Sequence, residues 1–419
     1  MLIKKQTMDM FAILLIVLAS GNPVFAYLVG KETLVIGLPI MLLIYGLVRG
    51  LKVKKSDWII VFIFGLICSV HLLTFGLPIL AASLAFLLKL SAAMLIVCTV
   101  SDFPKMYVRL MFALAITSLI FFIPQVLLGD VLRKYIDVIA IPYSPSTLHI
   151  GLHNFNPEKF VYRNSGFFWE PGAYAGYLML ALIFSVGREI KVGKRLGLDR
   201  TSLVLLIALL TTQSTTGYAA LAIFAFAFVY LRYGFRHVGR MLFVSTVVLS
   251  IAYSAFVNLP FLSEKIGGQF EKALYGEENS AKGRFGNAIY DWESIKERPL
   301  LGWSPKTETR VVVNTEVIDW AAGQGNGLTG LIVHFGFAGI LVYVLMVYNN
   351  FFKLSSHVVY SVTSVVAVLM LLMGEQFLNF PLFMTLMFTG RSFVNHIRTS
   401  RLPYSSVVLP NAHSQRISE

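Results

Sequence analysis

The chain has 419 residues, of which 56% are hydrophobic and 14% are charged, and its formal net charge is +13. This composition excludes an ordinary soluble domain, because repeated apolar runs of about 20 residues are typical of helices that cross a membrane. A basic soluble protein would suggest a nucleic-acid partner. Here the basic residues lie in short segments between apolar runs, where they indicate the orientation of the spans instead, and we expect no nucleic acid. Cys68 and Cys98 lie within apolar runs and offer neither a disulfide framework nor a zinc site.

Apolar runs and helix breakers predict an all-α polytopic membrane protein with about twelve transmembrane helices. Basic residues follow every second predicted span, and the other connections are nearly neutral, so we expect both termini in the cytoplasm. The predicted spans are 8–29, 33–49, 58–74, 77–99, 107–128, 171–187, 201–211, 214–232, 239–258, 327–350, 356–373 and 377–394.

Two long loops are predicted on the non-cytoplasmic side, and loops of that length without obvious domain composition are usually functional. The predicted regions are N-terminal helices one to five (1–128), a first non-cytoplasmic loop (129–170), helices six to nine (171–258), a second non-cytoplasmic loop with an amphipathic helix (259–326), helices ten to twelve (327–394) and a cytoplasmic tail (395–419).

The first loop begins with apolar residues at helical spacing over 132–139, which predicts a short interfacial helix. His149 and His153 are four positions apart, a spacing that suits two metal ligands on a helix. Gly151 lies between them and no third ligand is close in the sequence. We therefore predict no metal site.

The first loop ends in the stretch RNSGFFWEP, directly before an apolar run. The planar guanidinium of Arg163 suits pyrophosphate oxygens. The aromatic cluster that ends at Trp169 suits a membrane interface or a platform for sugar stacking. Pro171 suits the first turn of a helix, so Glu170 is either a cap at that helix terminus or a base or acceptor for a sugar hydroxyl.

The second loop contains GRFGNAIYDWESIKERPLLGW, which predicts an amphipathic helix that ends at Pro299 and turns at Gly302. Arg284 opens this helix, and Asp291 lies seven residues later on roughly the same face. The apolar stripe is predicted at Phe285, Ala288, Ile289, Trp292 and Ile295.

The stretch AAGQGNGLTGLIVHFGFAG leads into the tenth predicted span. Gln324 and Asn326 place two amides at its entrance, and His334 lies inside it. An ionisable residue within a span is a functional hypothesis by default, although a neutral histidine bonded between helices is the other interpretation.

These three stretches, in this order, resemble the O-antigen polymerase and ligase superfamily. The likeness rests on Arg–x–x–Gly–Phe–x–x–Glu–Pro before a span, on Gly–Arg followed by an amphipathic helix and Pro–Leu–Leu–Gly, and on Asn followed by a span with Gly–x–x–Gly. Ligases of this superfamily carry a histidine beside that asparagine, whereas here the neighbours are Gln324 and Gly325. This difference favours the polymerase branch and leaves the ligase as the alternative.

The resemblance implies a GT-C-like glycosyltransferase in the inner membrane of a Gram-negative bacterium, with a periplasmic active site. It would polymerise undecaprenyl-pyrophosphate-linked oligosaccharides into O-antigen or a related polysaccharide, by inverting transfer without metal or cofactor. A polyprenol-linked sugar transporter is a more distant alternative. Membrane lipid, a chain-length regulator and a flippase are the further expected partners. The expected roles are pyrophosphate binding for Arg163 and Arg284, base catalysis for Glu170, Asp291 or His334, and sugar contacts for Trp169, Tyr290, Gln324 and Asn326.

Overall fold

A computed structural model describes residues 2–141, 147–157, 160–194, 196–234, 239, 284–306, 308–311 and 326–390, without the side chains of 2–4, 284–286, 289, 290 and 311. Its helices are α1 (Leu2–Gly21), α2 (Pro23–Val29), α3 (Lys31–Val48), α4 (Lys55–Phe75), α5 (Leu80–Thr99), α6 (Phe103–Asp137), α7 (Pro171–Lys191), α8 (Arg200–Thr211), α9 (Thr215–Tyr233), α10 (Arg284–Glu297), α11 (Glu308–Val311), α12 (Gly327–Ser355), α13 (Val358–Gly374) and α14 (Pro381–Met384). Two short strands, β1 (Leu148–His149) and β2 (Asn154–Phe155), form an antiparallel hairpin.

The described residues contain seven helices that are long and apolar enough to cross a membrane, namely α3, α4, α5 with its preceding turn, α6, α7, α9 and α12. Helices α1 and α2 meet at 93° and make an eighth span if they are counted as one. Pro23 begins α2, and the Asn22 side chain accepts a hydrogen bond from the Phe25 amide at 2.8 Å, which caps the new helix at the bend. A polytopic helical protein is therefore confirmed, and the count of twelve spans is not.

The remaining predicted spans differ from the structure in length or continuity. Helix α8 has 12 residues and α13 has 17, both below the roughly 20 that a straight span needs. The predicted span 239–258 lies outside the described residues except for position 239. The prediction of one helix over 377–394 is wrong up to residue 390, because Pro381 begins a new short helix between two 3-10 turns.

Helix α6 runs 35 residues and passes the predicted end of its span at residue 128. Gly129 interrupts it with a φ of +47°, a conformation that glycine adopts without steric strain. The part after Gly129 corresponds to the interfacial helix that the apolar spacing over 132–139 predicts.

The two histidines of the first loop are structural groups around the β-hairpin, which departs from the all-α prediction. The Gly151 amide donates to His149 Nδ1 at 2.8 Å, so His149 Nε2 carries the proton that it donates to the Phe167 carbonyl at 3.0 Å. His153 Nε2 lies 3.2 Å from Gln125 Oε1, and burial lowers the pKa of His153 to about 3. Both imidazoles are therefore neutral near pH 7 and belong to the hydrogen bonding of the loop.

Helix α7 lies at the centre of the helix bundle, and 78% of its most apolar 18-residue stretch is buried. Buried tyrosines bond it to its neighbours at several levels. Tyr107 donates to the Tyr177 carbonyl at 3.0 Å, Tyr177 donates to the Ser20 carbonyl at 2.6 Å, and Tyr360 donates to the Ile183 carbonyl at 2.7 Å. These bonds hold α7 in the bundle, and Glu170 directly precedes this helix.

Basic residues meet at the end of the bundle where α3, α7 and α12 finish. Arg49 pairs with Asp9 at 2.9 Å, Arg188 pairs with Asp102 at 3.2 Å, and the Lys191 ammonium donates to Ser356 at 2.6 Å. We call this the basic end. The opposite end, where α7 and α12 begin, is called the motif end because two of the three sequence motifs enter their helices there.

Residues 299–303, which we call the docking segment, pack into a break in α12. Gly336 interrupts α12 with a φ of +65°. Next to the break, the Phe337 amide donates to the Pro299 carbonyl at 2.7 Å and the Ala338 amide donates to the Leu300 carbonyl at 3.1 Å. The docking segment thus satisfies backbone groups that an interrupted membrane helix would otherwise leave unpaired.

Two further bonds hold the docking segment in place. The Trp303 amide donates to the Val333 carbonyl at 2.8 Å, on the other side of the break. His71 Nε2, on α4, lies 2.8 Å from the Leu301 carbonyl and donates to it. The segment is therefore bonded to both α4 and α12, and α10, which precedes it, is positioned by the same contacts.

Gly336→Ala tests the docking segment. A β-carbon at Gly336 would collide with the backbone of Leu300 and Leu301, and the positive φ adds strain of about 1–3 kcal/mol. We expect a lower melting temperature of the purified protein in detergent. Gly65→Ala in α4 is the matched control, because no atom lies within 4 Å of its added β-carbon. Equal melting temperatures for the two variants would contradict the assigned role.

Candidate functional site

Glu170 lies at the N-terminus of α7 but does not cap it in the usual way. Its backbone is extended, with Pro171 at the first helical position, and its side chain accepts no capping hydrogen bond from the first turn. The carboxylate is half-buried at the motif end. The position agrees with the predicted helix start, while the capping interpretation of the side chain is not supported.

Arg163 belongs to the first loop and contacts the turn that joins α8 to α9. Its Nε donates to the Thr212 carbonyl at 3.4 Å, and its guanidinium carbon is 5.9 Å from the centre of the Phe160 ring. The Arg163 carbonyl accepts from Asn156 Nδ2 at 2.6 Å and from Gln125 Nε2 at 3.2 Å. Two buried amides therefore hold its backbone, and the half-buried guanidinium remains at the motif end.

The aromatic cluster before Glu170 divides into core residues and one site residue. Phe167 and Phe168 are 3% and 0% exposed, so the prediction that they form an interfacial belt or sugar platform is wrong. The Phe168 ring packs against Tyr177 of α7. Trp169 is half-buried, and its ring centre lies 5.0 Å from that of Phe380. Of the cluster, Trp169 alone remains a candidate for sugar contact.

Asp291 is fully buried and engaged by two partners from elsewhere in the chain. It accepts a hydrogen bond from Arg310 at 2.8 Å in a buried ion pair, and a second, short one from Thr329. The buried face of α10 includes Asn287, Asp291 and Ile295, whereas Trp292 is 51% exposed. The predicted apolar stripe and the buried face of α10 are therefore not identical, and the buried face includes a carboxylate whose charge Arg310 compensates.

Two opposing effects act on the protonation of Asp291. Burial raises the pKa of this carboxyl to about 6, and the hydrogen bond from Thr329 and the charge of Arg310 offset part of that effect. Asp291 is a less suitable general base than the sequence suggested, since Arg310 and Thr329 already occupy its oxygens.

Asn326 begins α12 as its N-cap. Its Oδ1 accepts from the Leu328 amide at 3.0 Å and from the Thr329 amide at 3.1 Å. Thr329 in turn donates to Asp291, so the cap, α12 and α10 are connected through consecutive contacts. The predicted sugar contact of Asn326 is thereby restricted to its amide nitrogen.

A cavity of about 230 Å³ lies at the motif end between α5, α12 and the turn at 376–379. His334 contributes to its wall, as do Lys89 and Arg310, two cations that the sequence did not predict as site residues. Its polar lining is completed by Gln376 and Asn379. Two cations, an imidazole and two amides in one concave surface can bind an anion beside a hydroxyl-bearing molecule.

Lys89 and Arg310 differ in whether the sequence alone carries a signal for their function. Lys89 lies within the apolar run 77–99, and a lone lysine in a span is a functional signal that could have been used. Arg310 has no comparable signal, because its importance comes from Asp291, 19 residues earlier in the chain.

Three predicted site residues lie wholly or partly outside the part of the chain that the structure describes. Arg284 begins α10, but its side chain and that of Tyr290 are not described, and Gln324 lies within the undescribed stretch 312–325. Within the described ranges, no group of three or more His, Cys, Asp or Glu residues could hold a metal ion.

The fold and the motif end together define a multi-pass helical membrane protein with a polar cavity at one end of its bundle. Residues 201–326 match the family model described as O-antigen ligase, a stretch that begins in α8 and ends at the N-cap of α12. This match confirms the predicted resemblance to the O-antigen polymerase and ligase superfamily. Searches of curated proteins and of solved structures each found no match.

Protein stability should depend on pH through Asp291. Its pKa of about 6 in the folded protein exceeds the value near 3.9 of an unfolded aspartate, so between pH 4 and pH 6 the folded state holds more protons. Stability should therefore fall as the pH rises through this window. The measurement is the melting temperature in detergent from pH 4 to pH 7, and Asp291→Asn should lose this pH-dependent component. An unchanged slope in Asp291→Asn would refute the assignment.

Proposed function

We propose that this protein polymerises oligosaccharide repeat units carried on undecaprenyl pyrophosphate. The observation that carries the proposal is the cavity at the motif end, where Lys89, Arg310 and His334 meet beside the buried Asp291. The family match over residues 201–326 supports a glycan substrate linked to lipid. A soluble sugar-nucleotide donor would need no such cavity among membrane helices.

In the proposed reaction, a sugar hydroxyl of one lipid-linked unit attacks the anomeric carbon of a chain carried on another. A new glycosidic C–O bond forms, and the bond from the anomeric carbon to the pyrophosphate oxygen breaks. The electron pair of that bond leaves with undecaprenyl pyrophosphate, and a base accepts the hydroxyl proton. One such displacement inverts the anomeric configuration.

Charge stabilisation is the main task in this reaction, because pyrophosphate is already a good leaving group. In the proposal, Arg163 and Arg284 bind the phosphates through their guanidinium groups. The ion pair of Asp291 gives that carboxylate a positioning role toward Arg310. Glu170 and His334 are then the candidates for the base, with His334 supported by its place in the cavity wall.

The proposed setting is the inner membrane of a Gram-negative bacterium. The basic end would face the cytoplasm, in keeping with the preference of lysine and arginine for cytoplasmic loops. The motif end would then lie on the periplasmic side, where a flippase delivers lipid-linked units and a chain-length regulator limits the product.

An O-antigen ligase is the second candidate, because the matching family model carries that description. It would use the same lipid-linked donor and pass the glycan to lipid A–core. The two activities differ in the acceptor, so they are separated by adding one acceptor at a time.

The test is a reconstitution of the purified protein with lipid-linked repeat units, without and with lipid A–core, resolved on a gel. We expect a ladder from the lipid-linked units alone. Arg163→Ala and Arg284→Ala should each slow chain growth roughly 100-fold or more, the usual loss on removing a group that stabilises transition-state charge. A product only when lipid A–core is present would identify a ligase.

Arg232→Ala is the control for these arginine variants. Arg232 lies in the last turn of α9, at the basic end, with its guanidinium carbon 5.8 Å from the Tyr233 ring. It should form the ladder at the wild-type rate. Full-length polymer from Arg163→Ala would show that the pyrophosphate assignment is wrong.

A further inference from the structure

Lys89 lies between two neighbouring cavities, and this position suggests a role that the sequence motifs do not include. It belongs to α5, nine residues after Leu80, or about 14 Å along the helix axis. The segment Leu77–Thr99 is apolar enough to cross a membrane. A lysine at such a depth is unfavourable unless it faces the protein interior or a ligand.

The first of the two cavities is the polar one at the motif end, which also holds Arg310 and His334. The second is an apolar cleft of about 150 Å³ between α3 and α5. Lys89 and Asn379 line both of them. Lys89 therefore lies at the boundary between a polar and an apolar space.

The apolar cleft has the lining that a hydrocarbon chain requires. Its wall on α3 is made by Leu34, Val35, Leu38 and Pro39, with Ala92 opposite on α5. On α3, the nearby Ile36 and Ile40 are 54% and 51% exposed, so this helix borders the lipid. A chain that lies in the membrane can enter such a cleft sideways.

Charge gives the cleft a preference for an anionic lipid. Lys31 lines it in addition to Lys89, and the residues that line the two cavities, all within the described ranges, include neither aspartate nor glutamate. A neutral isoprenoid alcohol would leave this positive charge uncompensated, whereas a phosphate at the head of the chain would compensate it.

We infer that Lys89 binds the phosphate esterified to the isoprenoid of the lipid-linked donor, with the first isoprene units in the cleft and the sugar in the polar cavity. The inference rests on the proposed function, which supplies the polyprenyl pyrophosphate. It adds a cation on a membrane-spanning helix to the two arginines of the proposed function, and it rests on the two cavities that Lys89 lines.

The experiment measures binding of sugar-free undecaprenyl pyrophosphate to purified protein in detergent, by the ligand-dependent rise in melting temperature. Undecaprenol supplies the chain without phosphate, and inorganic pyrophosphate supplies the phosphates without the chain. We expect wild-type protein to bind the complete lipid far more tightly than either part. Lys89→Met should weaken its binding tenfold or more, and Lys89→Arg should stay within about threefold of wild type.

Two further variants separate binding from folding. Lys353→Met is the matched control, because Lys353 is an exposed lysine in the last turn of α12 at the basic end, and it should bind as wild type does. Val35→Trp fills the cleft without changing charge and should also weaken binding of the complete lipid. Methionine is tolerated inside a span, and an unchanged melting temperature of Lys89→Met without ligand would show that a loss of binding does not come from misfolding.

The outcomes distinguish this inference from the proposed function. If Lys89→Met binds undecaprenyl pyrophosphate as tightly as wild type, while the wild-type protein still forms a polymer ladder, the inference is wrong and the function stands. If wild-type protein neither binds this lipid nor forms any product, both are wrong. Equal binding of undecaprenol and undecaprenyl pyrophosphate would also overturn the role of Lys89.

Discussion

The candidate site depends on one set of backbone hydrogen bonds, those between the docking segment and the break in α12. A helix interrupted inside a membrane has amide and carbonyl groups that lipid cannot satisfy. In this protein the carbonyls of Pro299 and Leu300 accept from the amides after Gly336, and the Val333 carbonyl accepts from Trp303. The docking segment and α12 therefore satisfy each other's backbone groups, and these hydrogen bonds position the preceding α10.

The buried ion pair of Asp291 and Arg310 extends the same arrangement toward the cavity. Breaking such a pair leaves a buried charge uncompensated, whereas apolar side chains of similar size often give equal stability. Its value here is geometric. Asp291 also accepts from Thr329 in the first turn of α12, so one carboxyl group connects α10, α11 and α12 and orients a guanidinium at the cavity wall.

The sequence predicted those features that depend on nearby residues. The starts of α7 and α12 agree with the predicted spans at residues 171 and 327, because the residues that begin a helix act through local interactions. Features that depend on distant partners were missed. The buried face of α10 includes Asp291 only because Arg310 reaches it, and Phe168 is in the core only because α7 packs there. Lys89 and Arg310 belong to the cavity through tertiary contacts that no spacing rule contains.

The break in α12 divides this helix into a part that lines the cavity and a part long enough to cross a bilayer. Residues 337–355, after the break, make about 28 Å of helix, close to the roughly 30 Å thickness of a bilayer core. His334 precedes the break, whereas Lys89 lies about halfway along the unbroken α5. The cavity is therefore lined by the part of α12 before its break and by the middle of an apolar helix. An uninterrupted α12 would use these amides and carbonyls for its own hydrogen bonds, so the docking segment would lose its partners on α12 and the preceding α10, which carries Asp291, would lose this attachment.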